Sequence, residues 1–462
     1  MAKLDVFNPI VSEDKQHPNF KAMVNEINGA TREVITGWTD GFVDRDNKII
    51  KEFQTTFNSS FWEFYLNACF RQLGFEIDYS HDRPDFMVSK DGHEFAMEAT
   101  IASHPDGGTP EWEKRFAGLA DSYSKDSLFQ IIYLATIRLA NAIKSKHTHY
   151  VNKYSQLEHV KGKPYIICLA PFEQPLFFAQ ADAAIRKVLY KYSAPLYVKD
   201  EATGDIRIVG EEYTDNVVKS TGANIPLGLF LDDGMKEISA VIFSNTATMT
   251  KAKALNSLKH PNTFFQAIRY NPNSWDKPYY HCGQGGEYRE TLLDGLHIFL
   301  NPYAEHPFDP DVLYSDEISL HDFDMQENSP LEFINEGALF AHQCITLVPT
   351  DKVGNLDSLK ADVEFKDYSF KWEEGTLYQI SANVGLGIDN HLAHYKGWTL
   401  AVFKDSIDND WGAFAKGKEV STMQEFLSLS DTYKMLPSSD FYSNKEEAFA
   451  DIKKVVDLEL IK

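Results

Sequence analysis

The chain of 462 residues is poor in cysteine, has no long hydrophobic run and does not open on a leader-like segment. Its four cysteines, Cys69, Cys168, Cys282 and Cys344, are far apart and form no C-x-x-C pair, which argues against a disulfide framework and against a cysteine-based structural zinc site. No stretch approaches about 18 uninterrupted apolar residues, and no basic region followed by an apolar one begins the sequence. We therefore expect a cytoplasmic protein in a reducing compartment, with no membrane partner.

The motifs of several enzyme classes are also missing. The sequence has no H-E-x-x-H metalloprotease pattern and no G-x-S-x-G elbow of a serine hydrolase. The glycine-rich segment His281–Gly286 lacks the Lys-Ser/Thr ending of a phosphate-binding P-loop, and is interpreted as an ordinary loop. His147 and His149 are two residues apart on an expected helix, so their rings point to different faces and suit a metal poorly.

What is present is the composition of an ordinary globular protein, with 43% hydrophobic and 24% charged residues. At roughly 150 residues per domain, two or three domains are expected. The net charge of −23 argues against a protein that coats nucleic acid. However, that charge divides into −7 for residues 1–100, +4 for residues 101–200 and −20 for the remainder.

The basic excess is concentrated in one stretch, residues 144–163, where Glu158 is the single acidic residue. Its lysines are Lys144, Lys146, Lys153, Lys161 and Lys163. This stretch is either a solvated helix face and loop or a surface that contacts the phosphates of a nucleic acid. The salt dependence of nucleic-acid binding would distinguish the two interpretations.

A β-hairpin is predicted around Asp91-Gly92, because this dipeptide between two strand-like runs suits a type I′ turn. If these two residues form the loop, Lys90 faces His93 and Phe86 faces Met97. By the same arithmetic Asp85 faces Glu98, so that two carboxylates lie side by side.

Like charges directly opposite each other in an antiparallel pair are destabilising, so something must offset their repulsion. A divalent cation such as Mg²⁺ would do so, because it prefers carboxylate oxygens. The alternatives are a solvated sheet end, a protonated carboxyl group or a register that is off by one residue. Asp85 and Glu98 are flanked by apolar residues such as Phe86 and Met97, which favours the metal site over a solvated face.

The elements around the hairpin predict an α/β protein. Apolar spacing indicates a helix from Asn58 to Gly74, and Ser60 to Glu63 fits a capping box at its start. Glu63 is therefore either a structural cap or a third carboxylate that faces the metal. The other predicted elements are a strand at 75–79, a long helix at 127–150, a buried strand at 165–170, a helix at 179–192, strands at 238–243, 362–372 and 398–403, and a terminal helix after 443.

The order of a helix with Glu63, a strand, Pro84-Asp85, a hairpin, Glu98-Ala99-Thr100, a helix and a strand resembles the PD-(D/E)xK nuclease superfamily. The resemblance covers about residues 58–170. It implies a restriction-endonuclease-like core, which is a mixed sheet with a central antiparallel hairpin flanked by helices. It further implies that Asp85, Glu98 and Glu63 hold Mg²⁺ or Mn²⁺.

One position departs from that family pattern. The lysine of the E-x-K motif corresponds to Thr100, which cannot carry a positive charge. In some members the lysine comes from the following helix instead, and Lys146, or less favourably Lys144, is the candidate here. Both can equally be ordinary surface lysines.

We therefore expect a metal-dependent nuclease, most simply a DNA endonuclease. Asp85, Glu98, Thr100, Lys146 and Glu63 are the candidate active-site residues. The predicted organisation is an N-terminal segment (1–57), a nuclease core with an insertion (58–255) and an acidic α+β accessory domain (256–462). The alternatives are an inactive nucleic-acid-binding protein with the same fold and an acidic protein-interaction or inhibitor protein. A homo-oligomer is also left open.

Overall fold

The fold is known from a computed structural model that describes residues 4–104, 125–172, 174, 176–199, 206–219, 222–273, 278–346, 390–404, 411–419, 435–437, 442 and 444–460. It is an α/β protein built on a large mixed sheet. Among the helices in these ranges, none has the length and apolar character needed to cross a bilayer.

The α-helices, numbered along the chain, are α1 (Pro18–Val24), α2 (Gly29–Trp38), α3 (Ile49–Thr55), α4 (Asn58–Gln72), α5 (Lys125–His149), α6 (Ala183–Tyr190), α7 (Met249–Ala254) and α8 (Lys445–Leu460). The strands are β1 (Glu76–Asp78), β2 (Phe86–Lys90), β3 (His93–Ala102), β4 (Tyr165–Pro171), β5 (Tyr192–Lys199), β6 (Ile206–Tyr213), β7 (Asn216–Val218), β8 (Asn224–Pro226), β9 (Ala240–Phe243), β10 (Thr263–Arg269), β11 (Tyr279–Gln284), β12 (Leu296–Leu300), β13 (Ile318–Asp324), β14 (Ser329–Phe333), β15 (Leu339–Thr346), β16 (Asn390–Tyr395), β17 (Trp398–Lys404), β18 (Trp411–Lys416) and β19 (Met435–Pro437).

Eight strands form the large sheet in the order β1-β2-β3-β4-β9-β12-β13-β14. The predicted hairpin is confirmed: β2 and β3 pair antiparallel, with Phe86 opposite Met97 and Lys90 opposite His93. Asp91 and Gly92 have φ angles of 53° and 83°. Both are positive, as the type I′ turn requires, which is why this dipeptide fixes the register.

Helices cover both faces of the sheet. On one face, α4 contributes Phe61 and Trp62 to a core that also contains Phe95 and Met97 of β3. On the other face, α5 and α6 pack against alternate residues of the same strands, including Ala96. The long helix α5 joins β3 to β4, which run parallel, and β9 extends the parallel group. This crossover carries the end of α5 back over β3.

The predicted boundary at residue 255 falls inside this sheet. β12 pairs antiparallel with β9, β13 pairs parallel with β12, and β14 completes the edge. The acidic half of the chain therefore contributes three strands to the sheet instead of beginning as a separate accessory domain at 256. The physical reason is that β9 is apolar and buried throughout and requires a neighbour on each side.

The remaining strands form smaller sheets. One contains β11, β10 and β15, and another contains β16 to β19. The sheet of β16 to β19 packs on α8 through Leu400, Val402, Ile452 and Val456. The predicted strand over 398–403 and the terminal helix are confirmed, while the predicted strand over 362–372 lies outside the described residues.

Candidate functional site

Two carboxylates lie close together at the end of the β2–β3 hairpin that is opposite its turn. Asp85 immediately precedes β2, whose first residue Phe86 is opposite Met97, so the same register continued by one residue places Asp85 opposite Glu98 of β3. The backbone N–H of Ala99 donates a hydrogen bond of 2.8 Å to Asp85 Oδ2, which holds the aspartate against β3. Glu98 is 3% exposed and Asp85 is half-buried, so the glutamate of this pair lies largely out of water.

The pKa of Asp85 is shifted by its burial and by the charges around it. Burial and, next, the negative charge of Glu98 raise the pKa of Asp85 to about 7, against the opposing effects of Lys146, the Ala99 N–H and Arg45. The carboxylate is therefore costly to ionise in the absence of a further positive charge. A bound cation would supply that charge.

Lys146 reaches this pair from the last turn of α5. Its Nζ donates a hydrogen bond of 2.6 Å to Glu98 Oε1. The other oxygen, Glu98 Oε2, is buried and accepts no close hydrogen bond among the described residues, and the Tyr154 side chain lies beside this carboxylate. Lys146 thus neutralises part of the acidic cluster and leaves one buried carboxylate oxygen available to a ligand.

Glu63 lies on α4 and was predicted to be either a helix cap or a metal-facing group. The capping box is wrong: α4 begins at Asn58, its N-cap is Phe57, and Ser60 is already inside the helix. Glu63 is one turn further on, where no backbone N–H needs capping. Burial and then the charge of Asp85 raise its pKa well above the ordinary range, so that Glu63 belongs to the same electrostatic cluster.

Thr100 is the residue that stands where the predicted resemblance would place a lysine. It follows Glu98 by two residues on β3, which places both side chains on the same face of the sheet. Its partner in the parallel strand is Leu169, and the threonine is partly buried. Thr100 is therefore positioned beside the carboxylates as a neutral hydroxyl group.

Two side chains in this neighbourhood were missed by sequence reasoning. Arg45 donates hydrogen bonds to the carbonyl oxygens of His81, at 2.5 Å, and of Pro84, at 3.3 Å, and so braces the loop before Asp85. Tyr154 lies close enough that, after burial, the charges of Glu98 and Asp85 raise its pKa. Neither had a signal, because Arg45 belongs to a segment without a motif and Tyr154 to an irregular turn.

The predicted lysine surface is only partly present. Lys144 donates to the carbonyl oxygen of Pro226 at 3.2 Å, and Lys163 lies 2.9 Å from Glu94 Oε2. Lys146 points into the carboxylate cluster. Lys153 and Lys161 are exposed and remain available to a phosphate backbone.

The carboxylates are of the chemical type that Mg²⁺ and Mn²⁺ bind, but among the described residues Asp85, Glu98 and Glu63 do not bring three ligand atoms within 4.8 Å of one another. Asp85, Glu98 and Glu63 offer hard carboxylate oxygens, the type of ligand that both ions accept. The buried Glu98 Oε2 without a close hydrogen bond among the described residues is the observation that points to a ligand, because a buried carboxylate oxygen is costly to leave unsatisfied.

Comparison with protein-family models, with curated proteins and with solved structures finds no match to this chain. Function is therefore inferred from the geometry of the carboxylate cluster.

Proposed function

We propose that the protein is a metal-dependent nuclease that cleaves phosphodiester bonds, with DNA as its substrate and internal bonds as its target. The observation that carries this proposal is the contact between Lys146 Nζ and Glu98 Oε1, beside Asp85. Two facing carboxylates with a lysine from the next helix form a set of charges that can assist metal-dependent phosphodiester hydrolysis. The order of α4, the hairpin, α5 and β4 supports a restriction-endonuclease-like core.

Asp85 and Glu98, with Glu63, would hold Mg²⁺ or Mn²⁺. When bound, the ion lowers the pKa of a water molecule and neutralises charge on the phosphate. Lys146 donates hydrogen bonds from the side of Glu98, where it can orient the attacking water or bind a phosphate oxygen. Thr100, on the same strand face, adds a hydroxyl donor without charge.

Substrate binding would rely on few surface charges. Lys153 and Lys161 are exposed near the end of α5, whereas the rest of the predicted lysine set has partners within the chain. An acidic protein with a small basic surface is expected to bind DNA weakly and with a shallow salt dependence.

The direct experiment is a cleavage assay on supercoiled plasmid, single-stranded DNA and RNA, with Mg²⁺, Mn²⁺ or EDTA. We expect plasmid nicking that requires the metal and is abolished in Glu98→Gln. The matched control is Glu94→Gln, which changes an exposed carboxylate on the same strand, 59% exposed in its side chain, and should retain activity. If wild-type protein cuts none of these substrates with either metal, the nuclease proposal is wrong.

One observation favours a second candidate, a nucleic-acid-binding protein that has lost catalysis. The Lys146 ammonium already neutralises Glu98, which competes with metal binding. In that case the protein would bind DNA equally well in Mg²⁺ and EDTA and would cut nothing. Fluorescence anisotropy with labelled duplex DNA, measured alongside the cleavage assay, separates the two candidates.

A further inference from the structure

A second group of potential ligands lies on the large sheet away from the carboxylate cluster. Asp182, His297 and His321 each offer one donor atom, and these three atoms lie within 4.8 Å of one another. All three residues are buried: Asp182 is 6% exposed, His297 0% and His321 1%. Nothing in the proposed nuclease chemistry uses them.

The sheet topology explains why the two histidines meet. β12 and β13 run parallel as neighbours, and His321 is directly opposite Phe299. His297 precedes Phe299 by two residues, so that both imidazoles project from the same face of the sheet. This is the face that α6 covers, and Asp182, the N-cap residue of α6, enters the group from above.

The polar atoms of this group are not satisfied by the protein alone. His297 Nδ1 and His321 Nε2 lie 3.1 Å apart. However, Asp182 Oδ2, His297 Nε2 and His321 Nδ1 are buried without a hydrogen-bond partner among the described residues. Three such atoms in one cluster are unusual, since buried polar groups normally have partners.

The chemical state of the histidines suits metal binding. Burial lowers the pKa of His297 to about 4 and that of His321 to about 3. Both rings are therefore neutral near pH 7, which is the form of imidazole that binds a metal.

The surroundings supply the outer contacts of a metal site. Glu332 Oε1 lies 3.6 Å from His321 Nδ1, which is too far for a hydrogen bond but places a carboxylate on the side from which one orients a metal-bound imidazole. Arg186 contacts Glu332 and lies 4.0 Å from Asp182 Oδ2, so it can orient both carboxylates. The rings of Phe243 and Phe340 lie 6.4 Å and 6.2 Å from the His297 ring and form an apolar wall.

We propose that Asp182, His297 and His321 bind a divalent transition-metal ion, with Zn²⁺ the best match, in a structural role. Two imidazoles and one carboxylate form a nitrogen-rich set that Zn²⁺ accepts and that Mg²⁺ does not prefer. The three ligands would leave the fourth position of a tetrahedral ion to a water molecule, in a site that their burial shields from solvent. The ion would fasten the start of α6 to β12 and β13.

This site is distinct from the carboxylate cluster. Three strand spacings separate β3 from β12 in the sheet order, which corresponds to about 14 Å. One ion therefore cannot serve both sites, and the zinc proposal does not depend on nuclease activity.

The test is a Co²⁺ titration of the full-length protein after its metals are removed with a chelator. We expect about one Co²⁺ per chain with visible absorption bands that Zn²⁺ abolishes and Mg²⁺ does not. His321→Gln should weaken Co²⁺ binding more than about 100-fold, and Glu332→Gln about 10-fold. His260→Gln, at a buried histidine elsewhere, and Glu98→Gln, in the carboxylate cluster, should bind Co²⁺ as wild type does.

Either of two results overturns the proposal. One is wild-type protein that gives no Co²⁺ bands and whose thermal midpoint is unchanged by Zn²⁺ or EDTA. The other is a folded His321→Gln protein, verified by circular dichroism, that binds Co²⁺ as tightly as wild type. If His321→Gln does not fold, Asp182→Asn takes its place and must also lose Co²⁺ binding.

Discussion

The ammonium group of Lys146 lies 2.6 Å from Glu98 Oε1, although 48 positions separate the two residues in the chain. The contact forms because α5 crosses back over the sheet and ends above β3. A lysine from this helix thus stands beside Glu98, while the strand position two residues later is occupied by Thr100. The positive charge beside Glu98 therefore comes from α5 and not from β3.

Removal of this ammonium group should abolish most of the proposed activity. For Lys146→Ala we expect the metal-dependent cleavage rate to fall by about 10²–10⁴-fold, the range typical for a group that assists proton transfer. The measurement is the single-turnover cleavage rate on a plasmid at saturating Mg²⁺. Lys144→Ala, two residues earlier on α5, is the control and should cleave within a few-fold of wild type. Equal rates for both variants would show that Lys146 has no part in the reaction.

The raised pKa of Asp85 predicts a pH dependence. Since a carboxyl group must lose its proton to bind a cation, Mg²⁺ affinity should increase as pH rises through about 7. Isothermal titration calorimetry in buffers of different ionisation enthalpy would detect both the affinity change and the released proton. The Asp85→Asn variant should show weaker binding with a smaller pH dependence, the remainder coming from Glu63, whose pKa burial also raises. Wild-type affinity that is constant between about pH 6 and pH 8 would contradict the shifted pKa.

The same shift predicts how the metal-free protein responds to pH. The folded-state pKa of Asp85 is above its unfolded value, so the folded protein binds more protons between the two pKa values. The contribution of this group to the free energy of unfolding therefore decreases as pH rises from about 4 to about 7. In EDTA, Asp85→Asn, which keeps an acceptor for the Ala99 N–H, should be more stable than wild type by on the order of 1 kcal/mol at about pH 8.

Urea denaturation in EDTA at about pH 5 and about pH 8 measures this difference. The gain in stability should be smaller at the lower pH, where wild-type Asp85 is already protonated in the folded state. Asp91→Asn in the hairpin turn is an exposed control and should show little dependence on pH. A destabilised Asp85→Asn protein at the higher pH would contradict the assignment.

Arg45 is expected to act through both its charge and its hydrogen bonds. Its positive charge lowers the pKa of Asp85, and its guanidinium group braces the carbonyl oxygens of His81 and Pro84. In Arg45→Gln the pH midpoint of cleavage should therefore move upward, and stability should fall by about 1–2 kcal/mol. Arg45→Lys should restore the pH midpoint more fully than the stability. A midpoint that does not move in Arg45→Gln would assign this residue a purely structural role.

The sequence predicted those parts of the fold and site that depend on interactions between residues close together in the chain. Asp91-Gly92 determined the hairpin and its register because the constraint lies within two residues. The N-cap of α4 was predicted wrongly, since Phe57 takes this position despite a side chain that cannot cap. Arg45 reaches the loop before Asp85, and His297 reaches His321, only when distant segments of the chain fold together. No spacing in the sequence encodes these contacts.

The central position of β9 has a practical consequence for dissecting this protein. β9 lies between β4 and β12, and all four of its residues are apolar and buried. A chain truncated at residue 255 would expose one side of β9 as an unpaired, hydrophobic edge, which is a template for aggregation. A fragment designed to test the proposed activity should therefore extend at least through β14, because an insoluble shorter fragment would leave that proposal untouched.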